Sequence, residues 1–77
     1  MGSSVDSAKS EVVKYQALVD REKRAKEEAK RVGNYQKAIK NTRMADGRLV
    51  NHYDYNILKA QELLKNAKAK LAAAKKK

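Results

Sequence analysis

Val50-Asn-His-Tyr-Asp-Tyr-Asn-Ile-Leu-Lys-Ala-Gln-Glu-Leu-Leu-Lys-Asn-Ala-Lys-Ala-Lys-Leu-Ala-Ala-Ala74 carries the clearest structural signal in the chain. Val50, Tyr53, Ile57, Ala60, Leu64, Ala67, Leu71 and Ala74 recur at alternating steps of three and four, and every position in that register is apolar. A helix of 3.6 residues per turn gathers such positions into one stripe, so this stretch predicts a long amphipathic helix near 50–74. Its start falls between Leu49 and Asp54. Asn51 and Asp54 are both candidate N-caps, because their side-chain oxygens accept from the free amides of a first turn.

Toward the N-terminus a second, weaker stripe appears. Val5, Ala8, Val12, Tyr15 and Val19 keep the same rhythm; Glu22 interrupts it, and Ala25, Ala29 and Val32 resume it with a small phase shift. This predicts a helix near 6–32, with Asp6 or Ser7 as its cap. Asp20/Arg24, Glu22/Lys26 and Glu27/Arg31 sit four apart with the acid first, each worth roughly a few tenths of a kcal/mol on a helix surface. The plain reading of this charged run is a solvated face.

Between the arms, Gly33-Asn34 reads as a helix stop followed by a new cap. Tyr35, Ala38, Ile39 and Thr42 then suggest a short amphipathic helix near 35–45, and Asp46-Gly47 is a strong turn dipeptide. A structureless connection across 33–50 would be long for a compact domain, which favours that middle helix. No sheet signal is present. The expected fold is therefore all-α: an antiparallel helical hairpin with a short middle helix, or at most a kinked three-helix bundle. Met1–Ser4 reads as an expression remnant, 5–74 as a single helical domain, and 75–77 as a frayed basic tail.

Composition bounds what this fold can do. The chain has 77 residues, 19 Lys and Arg against 9 Asp and Glu, and no Cys or Pro. Disulfide frameworks, thiolate metal sites and thiol redox chemistry are excluded. Leu, Ile and Val together number only 14, while 12 residues are Ala, so the core is thin and stability marginal. No apolar run approaches the length of a membrane span. His52 is the only histidine, and no Ser, Cys or second His stands at a spacing that suits nucleophilic or metal chemistry. Gly33 and Gly47 are isolated, so no phosphate-cradling loop exists. These absences point to a non-enzymatic protein without cofactor or metal.

Two features remain as candidate binding surfaces. The first is the middle of the chain. Residues 34–56 hold three of the four tyrosines, and Tyr35, Arg43, Met44, Arg48, His52, Tyr53 and Tyr55 are residue types that anchor protein interfaces, because semi-rigid side chains bury area at low entropic cost. At the end of a thin hairpin they suggest a recognition tip for a protein receptor. The plainer reading is a small capping core where the helices meet, and the two readings are compatible. The second is the C-terminal arm. Residues 48–77 carry eight basic and two acidic groups, against eight and six in residues 1–32. Lys59, Lys65, Lys68 and Lys70 lie off the apolar stripe, free to meet an acidic protein or nucleic acid. Lysine rather than arginine suits diffuse attraction better than base reading.

Ser10-Glu-Val-Val-Lys14, Met44-Ala-Asp-Gly47 and Leu58-Lys-Ala-Gln61 occur in an order that resembles the outgoing arm, Gly-containing apex and returning arm of the long helical hairpins of colicin-type bacteriocins. That resemblance covers most of the chain. It implies receptor binding by residues 34–56, with the arms as a spacer, and a secreted protein acting outside its producing cell. Gly33-Asn-Tyr-Gln-Lys-Ala-Ile39 is similar to the helix-turn-helix signature of tetratricopeptide repeats and of the three-helix microtubule-interacting-and-trafficking domains. The latter resemblance implies a basic adaptor, the alternative function, although Lys40, Asn41, Thr42 and Arg43 leave the middle segment too polar to complete a bundle.

Overall fold

A computed structural model describes residues 4–76 of the chain. Helix α1 spans Ser4–Val32, α2 spans Asn34–Lys37, strands β1 and β2 span Thr42–Arg43 and Leu49–Val50, and helix α3 spans His52–Lys75. The two long helices pack antiparallel along their length, and the short elements close one end. The expected helical hairpin is what the chain forms. It is a rod, 48 × 27 × 15 Å, with a radius of gyration of 15.6 Å; a compact chain of this length would measure about 11–12 Å.

The α3 stripe lies where its periodicity places it. Ala60, Leu64 and Ala67 are buried, and Val50, Tyr53, Ile57, Leu71 and Ala74 are half-buried. Asn51 caps the helix, its side chain accepting from the Asp54 amide at 2.9 Å. Opposite this stripe, Val19 packs with Ala60 and Leu64, flanked by Val12, Tyr15 and Leu18. Burial of these few aliphatic groups, at about 25 cal/mol per Å² of apolar surface, is the main force holding the arms together. Alanine at 8, 29, 60 and 67 lets the backbones approach closely but contributes little area per residue.

The α1 stripe departs from expectation beyond Val19. No phase shift occurs. Glu22 and Lys26 stay in the three–four register and are half-buried, Ala29 is buried, and Ala25 and Val32 face solvent, Val32 at 56% exposure. The seam thus runs straight through two charged residues, for a reason found at the junction described below. The expected intrahelical pairs also rearrange. Lys26 crosses to α3, Arg31 binds Glu28 at 2.6 Å, and Asp20 accepts from Gln16 at 3.2 Å.

The helix expected near 35–45 is reduced to one turn, and a two-stranded antiparallel hairpin takes its place, contrary to the absence of any sheet signal. Gly33 closes α1 in the left-handed region at φ 86° and itself occupies the cap position of α2, so Asn34 is the first residue of that turn rather than its cap. Ala38 is already extended, at φ −70° and ψ 130°. A helix continued to residue 45 would have only Ile39 as a large aliphatic group to bury, and short helices without a buried face are marginal in water. The hairpin satisfies the same backbone locally. Met44 N–H donates to the Arg48 carbonyl at 2.8 Å, and Gly47 N–H donates to the Met44 carbonyl at 2.9 Å. With Gly47 at φ 90°, this is a three-residue loop closed by a left-handed glycine. A single turn of α2 also leaves the architecture a hairpin and not a three-helix bundle.

At the termini, α1 begins at Ser4, ahead of the Asp6 and Ser7 caps expected; Asp6 lies in its first turn. The remnant reading of Met1–Ser4 otherwise falls on residues outside those described, as does Lys77 of the expected frayed tail, whereas Lys75 is still helical.

Candidate functional site

Asp54 organises the closed end of the rod. It is the third residue of α3, where its amide binds the Asn51 cap and its carboxylate is free to reach elsewhere. One oxygen, Oδ1, accepts from Lys26 Nζ of α1 at 2.7 Å. The other, Oδ2, accepts from the Tyr35 hydroxyl of α2 at 2.8 Å. One carboxylate therefore ties three helices together. This explains why Lys26 occupies a seam position: its aliphatic stem packs along the interface while its ammonium meets Asp54. Both side chains are only 25% exposed. Burial by itself would raise the Asp54 carboxyl, but hydrogen bonds from Lys26 and Tyr35, with the nearby Lys26 and Lys30 charges, hold it below the ordinary carboxylate value. The hydrogen bond to Asp54 correspondingly raises the Lys26 ammonium above its ordinary value, against the effect of burial.

Aromatic rings are layered on this junction. Lys26 and Lys30 place their ammonium groups 5.1 and 5.4 Å from the centre of the Tyr35 ring, within cation–π range. Tyr35 and Tyr53 are 6.1 Å apart at 42°, and Tyr53 contacts His52 at 4.0 Å and 37°. Of the tip residues expected from sequence, Tyr35, His52 and Tyr53 come together here. Tyr35 and Tyr53 are half-buried and His52 is exposed, so the rings form a small capping cluster with one member open to solvent. Tyr55 is half-buried and lies two residues, or about 200° of helix, from Tyr53, on another face.

Arg43, Met44 and Arg48 sit on the hairpin. Arg48 is anchored by Asp46, whose carboxylate accepts from the Arg48 amide at 3.0 Å and from Nε at 2.8 Å. The backbone hydrogen bond from Arg48 is the main reason the exposed Asp46 carboxyl is held low. Arg43 is exposed, with Nη1 3.4 Å from the Gly47 carbonyl, and Met44 is half-buried. Arg48 also joins Lys26, Val50, Asp54, Ile57 and Leu58 in lining a shallow cleft of about 270 Å³ between hairpin and α3.

The four lysines of the C-terminal arm are all exposed but do not share a face. At 100° per residue, Lys59 and Lys70 flank one side of the α3 stripe, while Lys65 and Lys68 fall on the other side and the back. Lys70 reaches Glu11 of α1 at 3.7 Å.

Three features were not singled out from sequence: Lys26, Asp54 as a bridge, and the exposed apolar groups Val32, Ile39 and Leu49. The signal for the first was the unbroken seam register through residues 19, 22, 26 and 29. The second left no signal in the sequence, where Asp54 read as a candidate cap. Among the described residues, no group of three or more His, Cys, Asp or Glu is placed to hold a metal ion, and no helix is long and apolar enough to cross a membrane. No protein-family model, curated protein or solved structure matches the chain.

Proposed function

We propose that this chain is a non-enzymatic binding module that recognises a protein receptor or cell surface through its tip, residues 34–56, with the paired helices as a stiff spacer. The observation that carries this reading is the contrast between anchored and exposed groups at one end of the rod. The Asp54 junction fixes the aromatic rings, while Val32, Ile39 and Leu49, three of the four exposed large hydrophobic residues among the described residues, fall at the same end of the chain path. Anchored aromatic and arginine side chains beside exposed apolar ones are what a binding surface needs, because little side-chain entropy remains to be lost. The scattered placement of Lys59, Lys65, Lys68 and Lys70 gives the basic-adaptor alternative a diffuse cation and no single gripping face.

The test uses fluorescently labelled full chain on intact Gram-negative cells across a salt series. Tyr53→Ala and Arg48→Ala are expected to abolish binding, and a four-fold Lys→Gln variant at 59, 65, 68 and 70 to retain it with little salt dependence. Tip variants that bind like the wild type, with binding lost in the lysine variant and at high salt, would replace this reading with the adaptor.

A further inference from the structure

The β1–β2 hairpin has an open edge whose hydrogen-bonding phase is known. Thr42 pairs with Val50 and Arg43 with Leu49, and Met44 N–H donates to the Arg48 carbonyl. Antiparallel ladders alternate pairs that exchange hydrogen bonds with pairs that do not. Met44 opposite Arg48 is a bonded position, so Arg43 opposite Leu49 is a non-bonded one. The backbone N–H and C=O of Arg43 therefore point away from β2. Asn41, two residues earlier and next to the Thr42–Val50 pair, shares that direction by the strand's period of two. Such an edge is a template for a further strand.

Its side chains select what joins it. Ile39, Asn41 and Arg43 alternate onto one side, opposite Leu49, and all four are exposed, Ile39 at 74% and Leu49 at 48%. Thr42, Met44 and Val50, on the other side, are half-buried. Lys37, Lys40, Arg43 and Arg48 make this segment basic, and Asp46, the only acid between residues 33 and 50, is already paired with Arg48 at 2.8 Å. A second copy of the same edge would place like charges opposite one another, which is unfavourable.

We propose that the tip takes its partner by strand addition. An extended acidic segment of another protein, alternating carboxylate and aliphatic residues, lies along the free edge of β1. It bonds to the backbone of Asn41 and Arg43, sets its carboxylates on the face that carries Arg43, and sets its aliphatic residues on the face that carries Thr42 and Met44. This rests on the tip reading above and specifies the chemistry of the partner.

The test is a titration of ¹⁵N-labelled full chain with the synthetic peptide acetyl-Val-Glu-Val-Asp-Val-Glu-amide, beside polyglutamate and the Val/Lys counterpart. The Asn41 and Arg43 amides are expected to shift and to gain exchange protection with the acidic alternating peptide alone. Asn41→Pro removes an outward N–H that the hairpin does not use and is expected to weaken binding about tenfold, with the helical circular dichroism unchanged. An equal response to polyglutamate, shifts confined to the α3 lysines, or no shift at all would overturn the proposal. Protection at residues 41 and 43 that grows with protein concentration without peptide would overturn it in favour of self-pairing. On cells, Asn41→Pro binding like wild type while Tyr53→Ala fails would remove strand addition and leave the tip reading standing; both variants binding normally would remove both.

Discussion

The two ends of the rod are held by different chemistry. At the open end, Ala8 is buried, Leu71 and Ala74 are half-buried, and the Glu11–Lys70 ion pair, at 3.7 Å, crosses between the arms. At the closed end, Asp54 links α1, α2 and α3 through two charge-assisted hydrogen bonds shorter than 3 Å. Small residues suffice where two helices need only lie side by side. A one-turn helix and a two-residue hairpin bury too little to hold themselves, so directional bonds are needed to fix them. The open end is interchangeable with any Ala-rich pairing; the closed end depends on particular atoms.

The largest expected effect removes what both ends share. Leu64→Asp puts a charge into the central cluster with Val19 and Ala60, a change well beyond the ~2–5 kcal/mol of a buried truncation. Circular dichroism should report loss of helix along the whole chain; retained helix would show that the arms do not depend on this seam. Next comes Asp54→Ala, which leaves Lys26 and Tyr35 without their acceptor. It should cost about 1.5–3 kcal/mol and, unlike Leu64→Asp, should lower amide protection across residues 33–54 more than in the middle of the arms. Uniform loss would erase the distinction between the ends.

The same contrast has a pH signature. The folded carboxyl of Asp54 lies below the ordinary 3.8, so its contribution is present above that value and is lost as the pH falls through the folded pKa. The folded Lys26 ammonium lies above 10.5, so its contribution is present below 10.5 and is lost as the pH rises through the folded pKa. Between these limits the junction should be insensitive to pH. Chemical denaturation at stepped pH should show an acid limb that is shallower in Asp54→Asn. An identical limb would mean that Asp54 is not held by the fold.

Smaller still is Gly47→Ala. Nothing lies within 4 Å of the added Cβ, so the cost is that of φ 90° alone, about 1 kcal/mol, confined to the hairpin. Smallest is Lys70→Gln at the open end, where both partners are exposed. A change of ~0.3 kcal/mol or less in a denaturation midpoint is expected. A larger loss there than at Asp54 would invert the comparison.

Legibility in the sequence followed the same division. The α3 stripe, its Asn51 cap, the Gly33 stop and the Asp46-Gly47 turn were readable because each rests on local rules of period, capping or positive φ. The hairpin was not, since two residues per strand cannot display a period of two. The short amphipathic set at Tyr35, Ala38, Ile39 and Thr42 suggested a helix instead. Glu22 looked like a break in the α1 stripe, and Lys26 like its surface partner, because charged residues at seam positions are unfavourable unless paired. The partner of Lys26 lies 28 positions later in the sequence, and only tertiary contact reveals it. Within the candidate site, the residues at the tip were legible by type, whereas the free edge of β1 depends on ladder phase, which composition does not carry.

Backbone ¹⁵N relaxation across the tip tests the central claim most directly, namely that the Asp54 junction holds residues 33–51 as rigidly as the arms. Order parameters near 0.85 for these residues in the wild type, falling in Asp54→Asn while residues 8–29 and 57–71 keep theirs, are the predicted result. Wild-type values below about 0.6 across residues 33–51, or values unchanged in Asp54→Asn, would contradict it.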